Sequence, residues 1–354
     1  MMIRIALSRW TCPLLAIGMA AGSVTHAAQR TNAAPPPHGD TYENEIVARA
    51  LAQAQSQEEA ATENDVPDVT EIEAWRDRYR RLTVPVHIGG QGPYRFLVDT
   101  GAQATVVTGS VSERLALPFI GRSLVVATGS SKIVDLVELD ALEFADRRVN
   151  NLSSPILERE HVGADGILGL DSLQDLRVLV DFREDRISVT DAPLETGGNP
   201  YEIVVRARSR NNQMIITDAR IDGIKTAVMI DTGASRSIGN AALERRLRKR
   251  ASETLSETDV HGVNYSGFTK LAGKLRIGQF ELRSVPIGFV DSPAFAALSL
   301  EDRPALILGI ASLRMFDRIA IDFSTRRVFF DLPDSVMTAS DLRPRNYPGM
   351  IGQP

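Results

Sequence analysis

Cysteine is all but missing from this chain: among 354 residues only Cys12 carries a thiol, and it falls in the apolar stretch near the N-terminus. Disulfide scaffolding and thiol catalysis are therefore excluded from the rest of the sequence. Histidine is scarce as well. Beyond the N-terminal segment, His38, His87, His161 and His261 are too scattered for a recognisable zinc signature. No Gly-x-Ser-x-Gly elbow appears, which leaves a serine triad without support. Long hydrophobic runs are also lacking. The stretch from Trp10 to Ala21 is shorter than the ~20 residues of a spanning helix and is interrupted by Pro13. Nor is there an excess of one charge. The 40 basic and 45 acidic residues are interspersed and sum to −5, so no global field recommends nucleic acid or a membrane surface as a partner.

What is present begins with export. Arg4 and Arg9, the apolar stretch after them and the small residues ending in Thr25-His26-Ala27 have the layout of a secretory signal peptide over residues 1–27, with cleavage after Ala27. The expected destination is a bacterial periplasm or the exterior, the periplasm suiting a chain without cysteine. Residues 28–81 are rich in Ala, Gln, Glu and Pro. In them "NAAPPPHGD" reads as a linker and "YENEIVARALAQAQSQEEAA" as a lone helix, together an arm that serves as spacer, tether or prosegment. Past Arg81 the texture changes to short apolar or alternating runs with Gly-rich turns, and Asp222-Gly223 forms a tight-turn pair. The fold class is mainly β, with helices expected only over Val111 to Leu115, Asp171 to Leu176, Ala241 to Lys249 and Ser312 to Phe316.

This β-rich part is written twice. "FLVDTGAQATVV" and "AVMIDTGASRSI" place Asp99 and Asp231 132 positions apart, each at the end of an apolar run. An Ile-Leu-Gly segment follows at Gly169, 70 residues after Asp99, and at Gly309, 78 after Asp231. Asp181-Phe182 and Asp322-Phe323 repeat after those and read as structural turns or ion-pair partners. Two tandem copies result, over residues 82–195 and 196–334, with a tail over 335–354.

An Asp ending a buried strand carries a desolvation cost that a surface turn avoids, so the position calls for a purpose. If the copies pack about a pseudo-twofold axis, Asp99 and Asp231 face each other and hold one proton between them. Such a pair is acid and base at once. One carboxylate takes a proton from a water while the other protonates the carbonyl under attack, with no metal or other cofactor required. Thr100 and Thr232 can tie the two turns by hydroxyl-to-backbone hydrogen bonds, Gly101 and Gly233 permit tight turns and close approach, and Ala102 and Ala234 are small enough to sit beside the axis.

On these residues the chain resembles the retropepsin-like aspartic proteases, in the form of a bacterial exported member with two fused lobes; the markers are Asp99-Thr100-Gly101-Ala102, Asp231-Thr232-Gly233-Ala234 and the segments Ile167-Leu168-Gly169 and Ile307-Leu308-Gly309. The resemblance covers residues 82–334 and implies two acid-protease β-barrel lobes packed as a pseudo-twofold dimer around a cleft. It implies an aspartic endopeptidase, probed by an extended peptide or protein substrate, monomeric in its active site, with apolar cleft walls favouring hydrophobic side chains. It also implies hairpin flaps, for which the candidates are Val126 to Lys132 with Thr128, Gly129 and Ser130 at the tip, and Val260 to Phe268 with Asn264 and Tyr265 at the tip. Pepsin-like enzymes usually follow Asp-Thr-Gly with Ser or Thr. Ala102 and Ala234 cannot supply that hydroxyl, which predicts less depressed carboxyl pKa values and activity from mildly acidic to near-neutral pH. Two rival arrangements stay open: a homodimer in which equivalent lobes pair between chains, and a silent peptide-binding module of the same fold. "ERRLRKR" at Glu244 to Arg250 reads as a solvated helix face.

Overall fold

The computed structural model describes residues 70–77, 80–190, 203–210 and 213–331. The stretches expected to be a signal peptide (1–27), the linker and lone helix of the arm, and the tail (335–354) lie outside the described residues.

The described chain is mainly β and forms two lobes and a sheet shared between them. In the first lobe, Leu82–Ile88 and Gln91–Val98 make a hairpin across Gly89-Gly90. In the second, Gln213–Ile221 and Ile224–Ile230 do the same across Asp222-Gly223. Both residues of each turn have positive φ, the geometry that matches the twist of a two-residue hairpin and favours Gly or Asp-Gly. The second strand of each hairpin ends in an apolar run buried on both faces, as a central strand requires.

The Ile-Leu-Gly segments thread behind these strands. Gly166–Leu168 runs parallel to Gln91–Val98 and antiparallel to Val106–Thr108, so it lies between the strand that enters the Asp99 turn and the strand that leaves it. Ala305–Leu308 occupies the same place between Ile224–Ile230 and Ile238–Gly239. The glycine that ends each segment has a steric reason. A Cβ at Gly169 would overlap the backbone of Ala104, and one at Gly309 the backbone of Arg236.

A six-stranded sheet joins the lobes. Its order is Thr70–Glu73, Arg186–Thr190, Arg177–Asp181, Arg318–Asp322, Arg327–Asp331, Ile203–Arg206. Each lobe contributes a hairpin and a leading edge strand, and the two hairpins meet antiparallel with Leu179 opposite Ala320. The repeated Asp-Phe pairs close the hairpin turns. Asp181 Oδ1 accepts from the N–H groups of Arg183 and Glu184, and Asp322 Oδ1 from the Thr325 N–H and the Ser324 hydroxyl. Beneath the sheet Phe280, Phe316 and Phe330 pack with ring centroids 4.8 to 5.0 Å apart.

One boundary differs from the sequence reading. Thr70–Glu73 is an edge strand of the shared sheet and Trp75–Arg76 pairs with Leu82 and Thr83, so the end of the 28–81 arm belongs to the folded body. Its acidic alternation, with only Ile72 buried among Thr70, Glu71 and Glu73, hides a half-buried edge. Short helices occupy Gly109–Leu115, Leu170–Leu173, Ala241–Arg246 and Ile310–Leu313, close to the four expected; Arg159–Val162 and Pro293–Ala297 are additional. Among the described residues no helix is long and apolar enough to cross a membrane.

The aromatic cluster generates a test. Phe316→Ala empties the centre of a fully buried triad and should cost about 3–5 kcal/mol in urea unfolding, whereas the exposed Met315→Ala should change stability by no more than about 0.5 kcal/mol.

Candidate active site

The two Asp-Thr-Gly-Ala turns meet at the pseudo-twofold axis. Asp99 is 0% exposed and Asp231 1%. A Cβ added to Gly101 would overlap the Asp231 carboxylate, and one added to Gly233 would overlap that of Asp99. Each carboxylate thus lies directly against the glycine of the opposite turn, and only a residue without a side chain leaves room for it.

The turns orient their own aspartates by the same pattern. Asp99 Oδ1 accepts from the Gly101 N–H at 2.8 Å and the Ala102 N–H at 3.0 Å. Asp231 Oδ1 accepts from the Gly233 and Ala234 N–H groups, both at 2.9 Å. The backbone of each alanine therefore supplies a donor where its side chain has none. The threonines lock the turns together. Thr100 Oγ1 donates to Ile230 O at 2.9 Å and accepts from the Thr232 N–H at 3.2 Å; Thr232 Oγ1 donates to Val98 O at 2.6 Å and accepts from the Thr100 N–H at 3.1 Å. Each hydroxyl has its single proton and a lone pair in use across the axis, so rotating one turn breaks bonds in both.

Support extends one layer back. The Leu168 and Leu308 carbonyls accept from the Asp99 and Asp231 N–H groups, and the Ala102 and Ala234 carbonyls accept from those of Leu170 and Ile310. Burial pushes the Asp99 carboxyl up from 3.8 to about 7. The neighbouring Asp231 charge acts in the same direction, and the Gly101 N–H and the Arg81 guanidinium oppose it.

Two hairpins close over the turns. The first, Phe119–Val126 with Ser131–Leu139, has Ala127 to Ser130 at its tip, closed by the Ala127 N–H to Ser130 O bond, so Thr128, Gly129 and Ser130 are tip residues. In the second, Ala251–Thr258 with Asn264–Ile277, the tip is Asp259 to Val263 and not Asn264. Asn264 pairs with Thr258 and Tyr265 with Glu257, already on the returning strand. The displacement follows from Asp259, whose Oδ1 accepts from the His261 and Val263 N–H groups and organises the turn.

The tips meet. Ser130 Oγ donates to Asp259 Oδ2 at 2.6 Å and lies 2.8 Å from His261 Nδ1. Gly129 lies flat on the Tyr265 ring, where a Cβ would come within 2.6 Å of Cδ1. Tyr265 Oη donates to Glu257, which also pairs with Arg236 at 2.6 Å. Burial raises the Tyr265 pKa, so it stays a hydrogen-bond donor, and burial lowers that of His261 against the pull of Asp259.

Beside the turns lies a cavity of about 380 Å³ lined by Arg81, Thr128, His161, Gly233, Glu257 and Tyr265 among others. Its charged and polar lining departs from the apolar walls that the resemblance implied. Its charged side chains are Arg81 from the arm, Arg236 from the bend after the Asp231 turn and Glu257 near the end of Ala251–Thr258, the last two joined as an ion pair. Arg81, Gln213, Asp259 and His261 were not singled out by the sequence as site residues. A signal for the first two does exist, since each stands 18 positions ahead of an Asp (81 to 99, 213 to 231).

Two measurements follow. Thr232→Val strands both the Val98 carbonyl and the Thr100 N–H in a buried setting, and should lower stability by about 1–3 kcal/mol by denaturant titration; Thr100→Val should do the same, and the double variant should cost less than the sum. The raised Asp99 carboxyl gives a pH dependence. Between its ordinary 3.8 and about 7 the folded chain holds a proton that the unfolded chain has released, so this group makes the fold less stable as pH rises through that window. The thermal midpoint of Asp99→Asn should therefore exceed that of the wild type more at pH 7.5 than at pH 4.5.

A sequence model of the aspartyl protease family matches residues 84–172 and again residues 217–311. No curated protein matches the chain. The two matched stretches together cover more than half of the sequence, and each contains one Asp-Thr-Gly-Ala turn and the Ile-Leu-Gly segment behind it. The chain belongs to the aspartyl protease family.

Proposed function

We propose that this protein is an aspartic endopeptidase of the retropepsin-like, two-lobed type, hydrolysing peptide bonds with Asp99 and Asp231 as its catalytic dyad. The observation that carries the reading is the pair of buried carboxylates, each lying against the other turn's glycine and each held by two backbone N–H groups. Two such groups share a proton at mildly acidic pH. A water held between them loses a proton to the ionised member while the protonated member donates to the carbonyl oxygen, and the tetrahedral intermediate collapses when the leaving amine takes a proton back. The peptide bond breaks with one water consumed.

Both aspartates come from one chain, which supports a monomeric active site over a dyad formed only between two copies. Retention of both complete Asp-Thr-Gly turns supports catalysis over silent peptide binding. The tip residues Thr128, Gly129 and Ser130, facing Tyr265, act as the lid: their hairpins exclude water and offer backbone groups to an extended substrate. With the signal-peptide pattern of residues 1–27, the substrates are exported proteins of a bacterial periplasm or the exterior.

The test uses the mature protein with a peptide library. Asp99→Asn and Asp231→Asn should each reduce kcat by about 10²–10⁴-fold while leaving the fold intact by circular dichroism. Cleavage by the wild type should fall as pH rises through about 7, where Asp99 loses its proton. Wild-type rates in either variant would refute the shared-dyad mechanism.

A further inference from the structure

Two like carboxylates that share one proton are equivalent unless their surroundings differ. The turns do not provide a difference, being Asp-Thr-Gly-Ala on both sides with the same N–H donors. The difference lies one layer out. Arg81 directly precedes the Leu82–Ile88 strand, and Gln213 opens the Gln213–Ile221 strand. These are equivalent places, at the head of the strand that folds back along the Asp-bearing one in each lobe.

Both side chains cross the axis. Arg81 Nη1 donates to Gly233 O at 3.3 Å, and Gln213 Nε2 donates to Gly101 O at 2.6 Å. Each lobe therefore holds the catalytic glycine of the other by its carbonyl. Both residues are buried, Arg81 at 5% exposure and Gln213 at 0%. Gln213 Oε1 has no hydrogen-bond partner among the described residues. Arg81 is fastened more elaborately: Nε donates to Asp77 Oδ2 at 2.8 Å, and Nη2 donates to Val162 O at 2.7 Å in the first lobe. The guanidinium thus spans both lobes beside the dyad.

We propose that Arg81 and Gln213 are paired positioning residues, each fixing the catalytic turn of the opposite lobe through its glycine carbonyl, and that the cation present on one side only makes the two halves of the dyad electrostatically unequal. The proposal deepens the endopeptidase reading and rests on it. A guanidinium near a buried carboxylate favours the ionised form, and a neutral amide in the equivalent place exerts no such pull. The Arg81 field is offset in part by Asp77, its partner at 2.6 Å. Among the described residues the other charged or titratable groups lining the cavity are His161, Arg236, Glu257, Asp259 and Tyr265, with Arg236 and Glu257 paired with each other and His261 above them at the hairpin tips.

The experiment combines carbon-13 NMR titration of the aspartate carboxyls with peptide cleavage across pH in four variants. Arg81→Gln, which makes the two sides alike, should raise the dyad titration by about one unit and move the alkaline limb of kcat/KM with it. Asp77→Asn, which leaves the guanidinium unneutralised, should move both the other way. Arg81→Lys keeps the charge but loses the fork, so it should hold the titration near the wild-type value and lower kcat about tenfold or more. Gln213→Met should lower kcat without moving the titration. An unchanged titration in both Arg81→Gln and Asp77→Asn would overturn the electrostatic claim, and wild-type kcat in both Arg81→Lys and Gln213→Met would overturn the positioning claim. A wild type that cleaves no peptide would count against the endopeptidase reading instead, and the NMR titration decides the effect of the cation without any turnover.

Discussion

The hydrogen-bond exchange between Thr100 and Thr232 is the constraint from which the rest of the molecule follows. Two carboxylates removed from water repel one another when ionised, and they stay adjacent only because the turns carrying them cannot separate. Each threonine hydroxyl reaches the opposite strand's last carbonyl before the aspartate and the opposite threonine's N–H, so the lock joins backbone to backbone. Everything around it serves the same registration. The Ile-Leu-Gly strands wedge the turns from behind, the alanines leave the axis clear, and the shared sheet prevents the lobes from sliding past one another.

Much of this was legible in the residues because a repeat carries its own check. A lone Asp-Thr-Gly is an ordinary turn. Two of them, each with its Ile-Leu-Gly downstream, require equivalent surroundings, and the pairings of Leu97 with Ile167 and of Met229 with Ile307 are the same pairing in the two lobes. Asp222-Gly223 announced its hairpin by the φ values it tolerates. The mainly β class followed from short apolar runs between turn residues.

What the sequence concealed was mostly polar and long-range. Thr70–Glu73 hides among acidic residues because an edge strand buries only one side chain in four. The tip of the second hairpin is Asp259 to Val263, ahead of Asn264, because Asp259 binds two N–H groups of its own loop, an arrangement set by one side chain and not by a pattern. The charged cavity lining could not be read from the apolar strands that flank it. Arg236 and Glu257 are 21 residues apart and meet only through the fold. Arg81 was masked by its position at the seam between a low-complexity arm and the first lobe, although its distance to Asp99 matches that of Gln213 to Asp231.

The shared sheet has a consequence for ancestry. Its two central strands, Arg177–Asp181 and Arg318–Asp322, belong to different halves and pair antiparallel with the same hairpin form on either side. A half-length chain ending after its own hairpin would expose a bare strand whose natural complement is an identical strand turned by half a revolution. Such a fragment would find its mate in a second copy of itself, and fusing two copies head to tail would preserve the contact while freeing each half to mutate alone. Arg81 in one half and Gln213 in the equivalent place of the other are a divergence that a fused chain can keep and a pair of identical chains cannot.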